Sequence, residues 1–247
     1  MPDREALSQM YGGEYASHSV AAHGAEDPRD PLRVIQWLKQ MPVGTFLDYG
    51  CGTGSLLVEA MKLNWQAIGV EFDDEVAREL ERSTAATVIT NPNERFNQPL
   101  ADILNLGDVI EHLTELNRQM REILKLIRPG GLLIAQGPLE ANANLFNLTV
   151  RLSRSFRRSR RIEMAPYHVL LATAEGQRAL FQRFGLTELE YSIREVAWPA
   201  PGRCTLSDLF RPRVLGLFAL RRLSQMISGL QSRPWGNRYF YVGRWNG

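Results

Sequence analysis

The stretch Thr45-Phe46-Leu47-Asp48-Tyr49-Gly50-Cys51-Gly52-Thr53-Gly54-Ser55-Leu56-Leu57 decides how the chain reads. An apolar run closes on Asp48, and glycines follow at alternate positions, Gly50, Gly52 and Gly54. Leu56, Leu57 and Val58 then lead into Glu59-Ala60-Met61-Lys62, residues that favour helix. The pattern predicts a buried strand, a glycine turn and the first turns of a helix. Glycine is used where backbone must take positive φ or lie directly against a ligand. A helix start presents N–H groups with no intrahelical acceptor. Together they predict a small-ligand pocket at the carboxyl end of a strand, where open α/β sheets bind. Farther on, Ala67-Ile68-Gly69-Val70-Glu71 is a second apolar strand closing on an acid. Glu71 stands 21 positions after Gly50, about the ~20 expected for a carboxylate that holds ribose hydroxyls.

The rest of the chain alternates helix and strand signals. Residues 1–31 are polar, with Tyr11, Tyr15 and His18, and predict an N-terminal lid or cap. Residues 32–247 form the main domain, with a basic insertion at 141–168 and a helical one at 200–237. Pro31 opens a helix with Leu32, Ile35 and Leu38 at helical spacing. Asp73 and Asp74 suit the start of the helix after Glu71. Ala86-Thr87-Val88-Ile89-Thr90 predicts a third strand, a short β-branched run, followed by the turn Asn91-Pro92-Asn93-Glu94. Leu100–Leu106 predicts a fourth strand, 113–127 a helix, and Leu132–Ala135 a fifth strand after the stop Arg128-Pro129-Gly130-Gly131. Residues 174–184 predict a helix, 188–193 a strand, 214–230 an apolar helix with Arg221 and Arg222 on its polar side, and 238–245 a final antiparallel edge strand.

The glycine spacing separates two kinds of nucleoside cofactor. A dinucleotide fingerprint carries Gly-x-Gly-x-x-Gly, whereas position 55 here is Ser, which disfavours an NAD(P)-dependent oxidoreductase. Strand–Asp–x–Gly–x–Gly–x–Gly resembles motif I of the class I S-adenosylmethionine (SAM)-dependent methyltransferases. Asp108-Val109-Ile110-Glu111-His112-Leu113, a helix, and Ile127-Arg128-Pro129-Gly130-Gly131-Leu132-Leu133-Ile134 are similar to the second half of that family's domain. The resemblance covers residues 32–140, and more weakly 166–193.

It implies an α/β fold: a Rossmann-like, seven-stranded, mostly parallel sheet with helices on both faces and an antiparallel last strand. It implies SAM as cofactor and S-adenosylhomocysteine as product. Asp48, Gly50, Gly52 and Gly54 are expected along the methionine part and Glu71 at the ribose. Tyr49, Cys51, Phe72, Asn91 and Asp108 complete the cofactor side, and Glu94 is a further candidate beside the adenine.

Methyl transfer to an oxygen needs a proton removed. Asp108, Glu111 and His112 occupy i, i+3 and i+4, which would share one face of a helical turn and suit a base pocket or a divalent ion. This Asp/Glu-x-x-Glu-His pattern resembles ubiquinone-pathway O-methyltransferases and small-RNA 2′-O-methyltransferases, relatives that bring a further downstream histidine, here His168. Glu111, His112 and His168 are the expected catalytic residues, and no metal ligand is assigned.

The expected function is methyl transfer to a small-molecule, lipid-linked or nucleotide-linked acceptor, oxygen favoured. The alternatives are a nucleoside-binding protein without turnover and a metal-dependent RNA 2′-O-methyltransferase.

Composition bounds the partners. The formal charge is +2, which does not point to a nucleic-acid binder. Of 29 basic residues, 26 are Arg and 3 Lys. The arginines of 151–161 suit either a solvated loop or an anionic acceptor. Leu215, Phe218, Ala219, Leu223, Met226, Ile227 and Leu230 form an apolar stripe expected against the sheet, a dimer partner or a membrane surface. Cys51 and Cys204 make no disulfide framework, and with no signal-peptide pattern or long apolar run a cytoplasmic location is expected.

Overall fold

The computed structural model of the chain describes residues 29–90, 99–145, 148–149, 168–197, 205, 208, 211–230 and 235–247. The N-terminal lid, the turn with Asn91 and Glu94, the arginine cluster of 151–161 and Cys204 lie outside the described residues. The chain divides into two compact units. One, Pro28–Pro138, Glu175–Ser192 and Tyr239–Gly247, carries the sheet. The described part of the other lies within Leu139–Ala174 and Ile193–Arg238.

The elements are α1 (Arg29–Gln40), β1 (Thr45–Tyr49), α2 (Ser55–Lys62), β2 (Gln66–Val70), α3 (Asp74–Thr84), β3 (Thr87–Ile89), β4 (Ala101–Gly107), a 3₁₀ turn (Ile110–His112), α4 (Leu116–Leu124), β5 (Ile127–Pro138), α5 (Ala174–Arg183), β6 (Thr187–Arg194), α6 (Pro212–Leu230) and β7 (Arg238–Arg244). The strands make one seven-stranded sheet in the order β3-β2-β1-β4-β5-β7-β6. β1 pairs in parallel with β2 and β4, β2 with β3, and β4 with β5. β7 runs against β5: Gly130 N donates to Trp245 O at 2.7 Å and Trp245 N to Gly131 O at 2.8 Å.

Hydrophobic alternation assigns the two faces. Val34, Leu38, Leu57, Ala60, Ala77 and Leu80 of α1, α2 and α3 pack in one core with Phe46, Ile103, Ile134, Phe240 and Val242. On β7 the intervening side chains are Tyr239 and Tyr241, and Phe181 of α5 stacks on Tyr241 at 3.9 Å between ring centroids. Asp73 caps α3 as expected from its sequence, its Oδ1 accepting from Glu75 N at 2.8 Å and Val76 N at 3.1 Å.

The structure differs from the sequence expectations in four elements. β7 is not the edge; it lies between β5 and β6, and β6 takes the edge. α4 spans only Leu116–Leu124, because Leu126 and Ile127 are already committed to strand pairing: Leu100 N and Ala101 N both donate to Leu126 O. β5 therefore begins at Ile127, and Arg128-Pro129-Gly130-Gly131 is a register shift within the strand rather than a turn before it. α6 is reversed in polarity: Arg221 is 1% exposed, whereas Met226 is 56% and Leu230 78% exposed. No helix among the described residues is long and apolar enough to cross a membrane.

Candidate active site

β1 is buried along Thr45–Asp48 and delivers its carboxyl end to the glycine loop. Asp48 is buried, and a carboxylate taken from water needs a donor. Asn105, its partner in the β1–β4 register, supplies one: Nδ2 donates to Asp48 Oδ1 at 2.7 Å. A carboxylate only accepts, so this contact fixes the orientation of the Asn105 amide.

The loop turns on positive φ. Gly50 is at 79° and Gly54 at 71°. A Cβ on Gly50 would approach Val109 Cγ2 to 2.9 Å, so the space beside the loop stays open only for glycine. Gly50 N and Cys51 N donate to Val70 O at 2.8 and 3.0 Å, which ties the loop to β2. Gly54 caps α2 in the left-handed conformation, and Val58 N to Gly54 O is the helix's first ladder bond. The N–H groups of Ser55, Leu56 and Leu57 have no intrahelical acceptor.

Glu71 meets the same loop. Its Oε2 accepts from Gly52 N at 3.2 Å, and its Oε1 from Phe72 N at 2.8 Å and Asp73 N at 3.2 Å. The loop near residue 50 and the acid at 71, separate in the sequence, are thus joined by a hydrogen bond. Phe72 is 61% exposed and lies edge-on to Tyr49, with ring centroids 5.5 Å apart. Burial lifts the Tyr49 hydroxyl to about 12, and Glu122 adds to the rise. Burial also pushes the Cys51 thiol up, followed by the nearby Asp48 and Glu71 carboxylates. The thiol packs against β2, where a Cβ on Gly69 would come within 2.7 Å of Cys51 Sγ.

At the end of β4 the expected helical face is absent. Asp108 has φ 52°, a left-handed value that aspartate tolerates better than most residues. Its N donates to Gln136 O at 2.9 Å. Only Ile110–His112 is helical, as a 3₁₀ turn. The chain must leave the strand sharply after Gly107, and one tight turn is too short to align Asp108 with Glu111 and His112. Glu111 is buried and His112 half-buried. Glycine at 137 gives the acid room, since a Cβ there would lie 3.3 Å from Glu111 Oε2. Asn91 lies outside the described residues.

His168 belongs to the second unit, where its Nδ1 lies 2.8 Å from Glu140 Oε1. The side chains are 10% and 27% exposed. Glu140 was not expected from the sequence, where it is one acid after a strand with no spacing to mark it. Gln136 was also passed over, although a polar residue inside Leu132-Leu133-Ile134-Ala135-Gln136 is a signal. Asn105 Oδ1 and Gln136 Oε1 are buried acceptors with no donor among the described residues. With Asp48 they place three buried polar side chains in neighbouring strands β1, β4 and β5.

A bare glycine cradle with an acid hydrogen-bonded to it, on this sheet order, is the arrangement of a class I methyltransferase fold. Residues 21–191 match the methyltransferase domain family, and the chain belongs to it. A ubiquinone biosynthesis O-methyltransferase of Chelativorans sp. (strain BNC1) is 29% identical over 131 residues, 48% of this chain and 47% of that protein. A ribosomal protein L11 methyltransferase of Vibrio campbellii (strain ATCC BAA-1116) is 29% identical over 119 residues, 44% of this chain and 39% of that protein. The chain spans less than half the length of these curated relatives.

The magnesium protoporphyrin IX methyltransferase of Synechocystis PCC 6803, solved with S-adenosylhomocysteine bound, shares the fold. Its TM-score is 0.52 at 12% identity, over 97% of this chain and 92% of that one. The two relatives' names differ in acceptor, so the family defines the donor chemistry and not the acceptor.

Proposed function

We propose that the enzyme transfers a methyl group to a hydroxyl oxygen of a small-molecule or lipid-linked acceptor. SAM, when bound, supplies a methyl on a sulfonium whose displacement leaves a neutral thioether. The Gly50–Gly54 loop and Glu71 would hold the nucleoside, with Asp48, Tyr49, Cys51, Phe72 and Asp108 around it. Glu111 and His112 would border the acceptor. An alcohol or phenol is a poor nucleophile until its proton is drawn away, so oxygen as acceptor calls for a base.

The observation that carries this reading is the Glu140–His168 contact. A carboxylate on Nδ1 holds the imidazole with Nδ1 protonated and makes Nε2 the basic nitrogen, the same orienting logic that serves catalytic histidines elsewhere. His168 Nε2 would then be the nitrogen able to take a proton, and Glu140 would stabilise the imidazolium that results.

The test is radiolabelled methyl transfer from SAM to a panel of phenolic and lipid-linked alcohols. His168→Ala should lower kcat about 100-fold or more, within the range for a lost general base, with S-adenosylhomocysteine affinity kept. Glu140→Gln should lower kcat less and displace the pH profile. Activity should survive EDTA. Full turnover by His168→Ala, or transfer only to nitrogen or carbon acceptors, would defeat the reading.

A further inference from the structure

α6 is turned inside out. Arg221 Nη1 donates to Glu195 Oε1 at 2.8 Å, and the two side chains are 1% and 0% exposed. Ser224 Oγ donates to Glu195 Oε2 at 2.6 Å, and Gln225 Nε2 to the Glu195 carbonyl at 3.3 Å. Ser228 Oγ donates to Trp235 O. Positions 221, 224, 225 and 228 follow i, i+3, i+4, i+7 spacing and form one stripe, so the helix buries its polar face. Leu223, Met226 and Leu230, on the opposite stripe, are 44%, 56% and 78% exposed. Stability does not explain this arrangement, because exposed leucine and methionine contribute little to the folded state that water does not take back.

Charge indicates what covers the stripe. From Leu209 to Trp235 the sequence holds no acidic residue, while Arg211, Arg213, Arg222 and Arg233 add to Arg221. Arg221 is already answered by Glu195. At about 100° per residue, Arg213 and Arg222 project some ~80–100° to either side of the stripe's midline. An apolar stripe flanked by a guanidinium on each side is the form of a helix lying in a bilayer interface. The arginine stems run along apolar surface and the heads reach phosphate. A second copy is a poorer fit: two such stripes face to face would bring arginine against arginine, with no carboxylate from either helix. The helix is also not of a kind that spans a membrane, so it would lie on one.

We infer that α6 docks the enzyme on an anionic lipid surface through Leu223, Met226 and Leu230, with Arg213 and Arg222 on lipid phosphates. The inference does not depend on which acceptor is methylated.

The test is co-sedimentation of the full chain with vesicles of phosphatidylcholine alone and of phosphatidylcholine mixed with phosphatidylglycerol. Binding is expected to the mixed vesicles, to weaken with added salt, and to be slight on the neutral ones. Arg213→Gln with Arg222→Gln should weaken binding by about 30-fold, from about fivefold per arginine near such a surface. Leu223→Ser with Met226→Ser should abolish it. Circular dichroism of both variants should match the parent, since none of the four side chains contacts Glu195 itself, and of the four only Arg222 touches its network, donating to Gln225 at 3.0 Å.

Failure to sediment with the mixed vesicles, or unchanged binding by both variants, would overturn the inference. So would a dimer, seen by light scattering, that Leu223→Ser with Met226→Ser dissolves, since the stripe would then be a protein interface.

Discussion

Replacing Gly50 by alanine probes the cradle at its tightest point. The residue sits at φ 79°, where an L side chain costs about 1–2 kcal/mol. The new Cβ would lie 2.9 Å from Val109 Cγ2, well inside ordinary contact. Val109 must leave its rotamer, at about 0.5–1.5 kcal/mol. Gly50→Ala should therefore cost about 1.5–3.5 kcal/mol of stability in urea unfolding.

The two parts separate by a double-mutant cycle. Val109→Ala in the Gly50→Ala background should recover the steric part, seen as a coupling of about 0.5–1.5 kcal/mol, and leave the conformational part in place. Gly50→Asn should be milder than alanine, because asparagine tolerates the left-handed region. A Gly50→Ala protein within about 0.5 kcal/mol of the parent, the range of an unremarkable surface change, would refute this account of the loop.

Two further outcomes follow from buried groups. Glu195→Ala leaves Arg221 charged and enclosed, and should cost about 3–5 kcal/mol by chemical denaturation. Glu195→Leu with Arg221→Met should recover most of that loss, and a mild Glu195→Ala would mean that water reaches Arg221. In a Cys204→Ser background, Cys51 should react with dithionitrobenzoate in the native protein far more slowly than in the unfolded chain at mildly alkaline pH. Its raised pKa keeps the thiol protonated and its burial shields it; equal rates would contradict both.

The cradle was legible because it depends on local chemistry. Glycines at positions 50, 52 and 54 specify a turn wherever they occur after a strand, and Asp73 announces its helix through its own side chain. Glu71 was legible through its distance from Gly50, fixed by one helix and one strand between them. What escaped were relations between distant segments. The place of β7 depends on which neighbours it pairs with. A clue was present in the unbroken run Tyr239-Phe240-Tyr241-Val242, which suits a strand covered on both faces rather than an edge.

The polarity of α6 could not be read from its apolar stripe, because the carboxylate that draws Arg221 inward lies on Glu195, 26 positions earlier. Asp108, Glu111 and His112 had the right spacing for one helical face, but the sharp exit from β4 allowed only a 3₁₀ turn. Glu140 had no local signal at all, and its role rests on contact with His168.

The central claim is that the glycine loop and Glu71 together hold the nucleoside of SAM. Titration calorimetry with S-adenosylhomocysteine tests it most directly. The parent should bind at low micromolar strength, about 8 kcal/mol, and Glu71→Ala should weaken binding at least about tenfold, the equivalent of one hydrogen bond to a charged group. No heat of binding by the parent, or an unchanged affinity in Glu71→Ala, would contradict it.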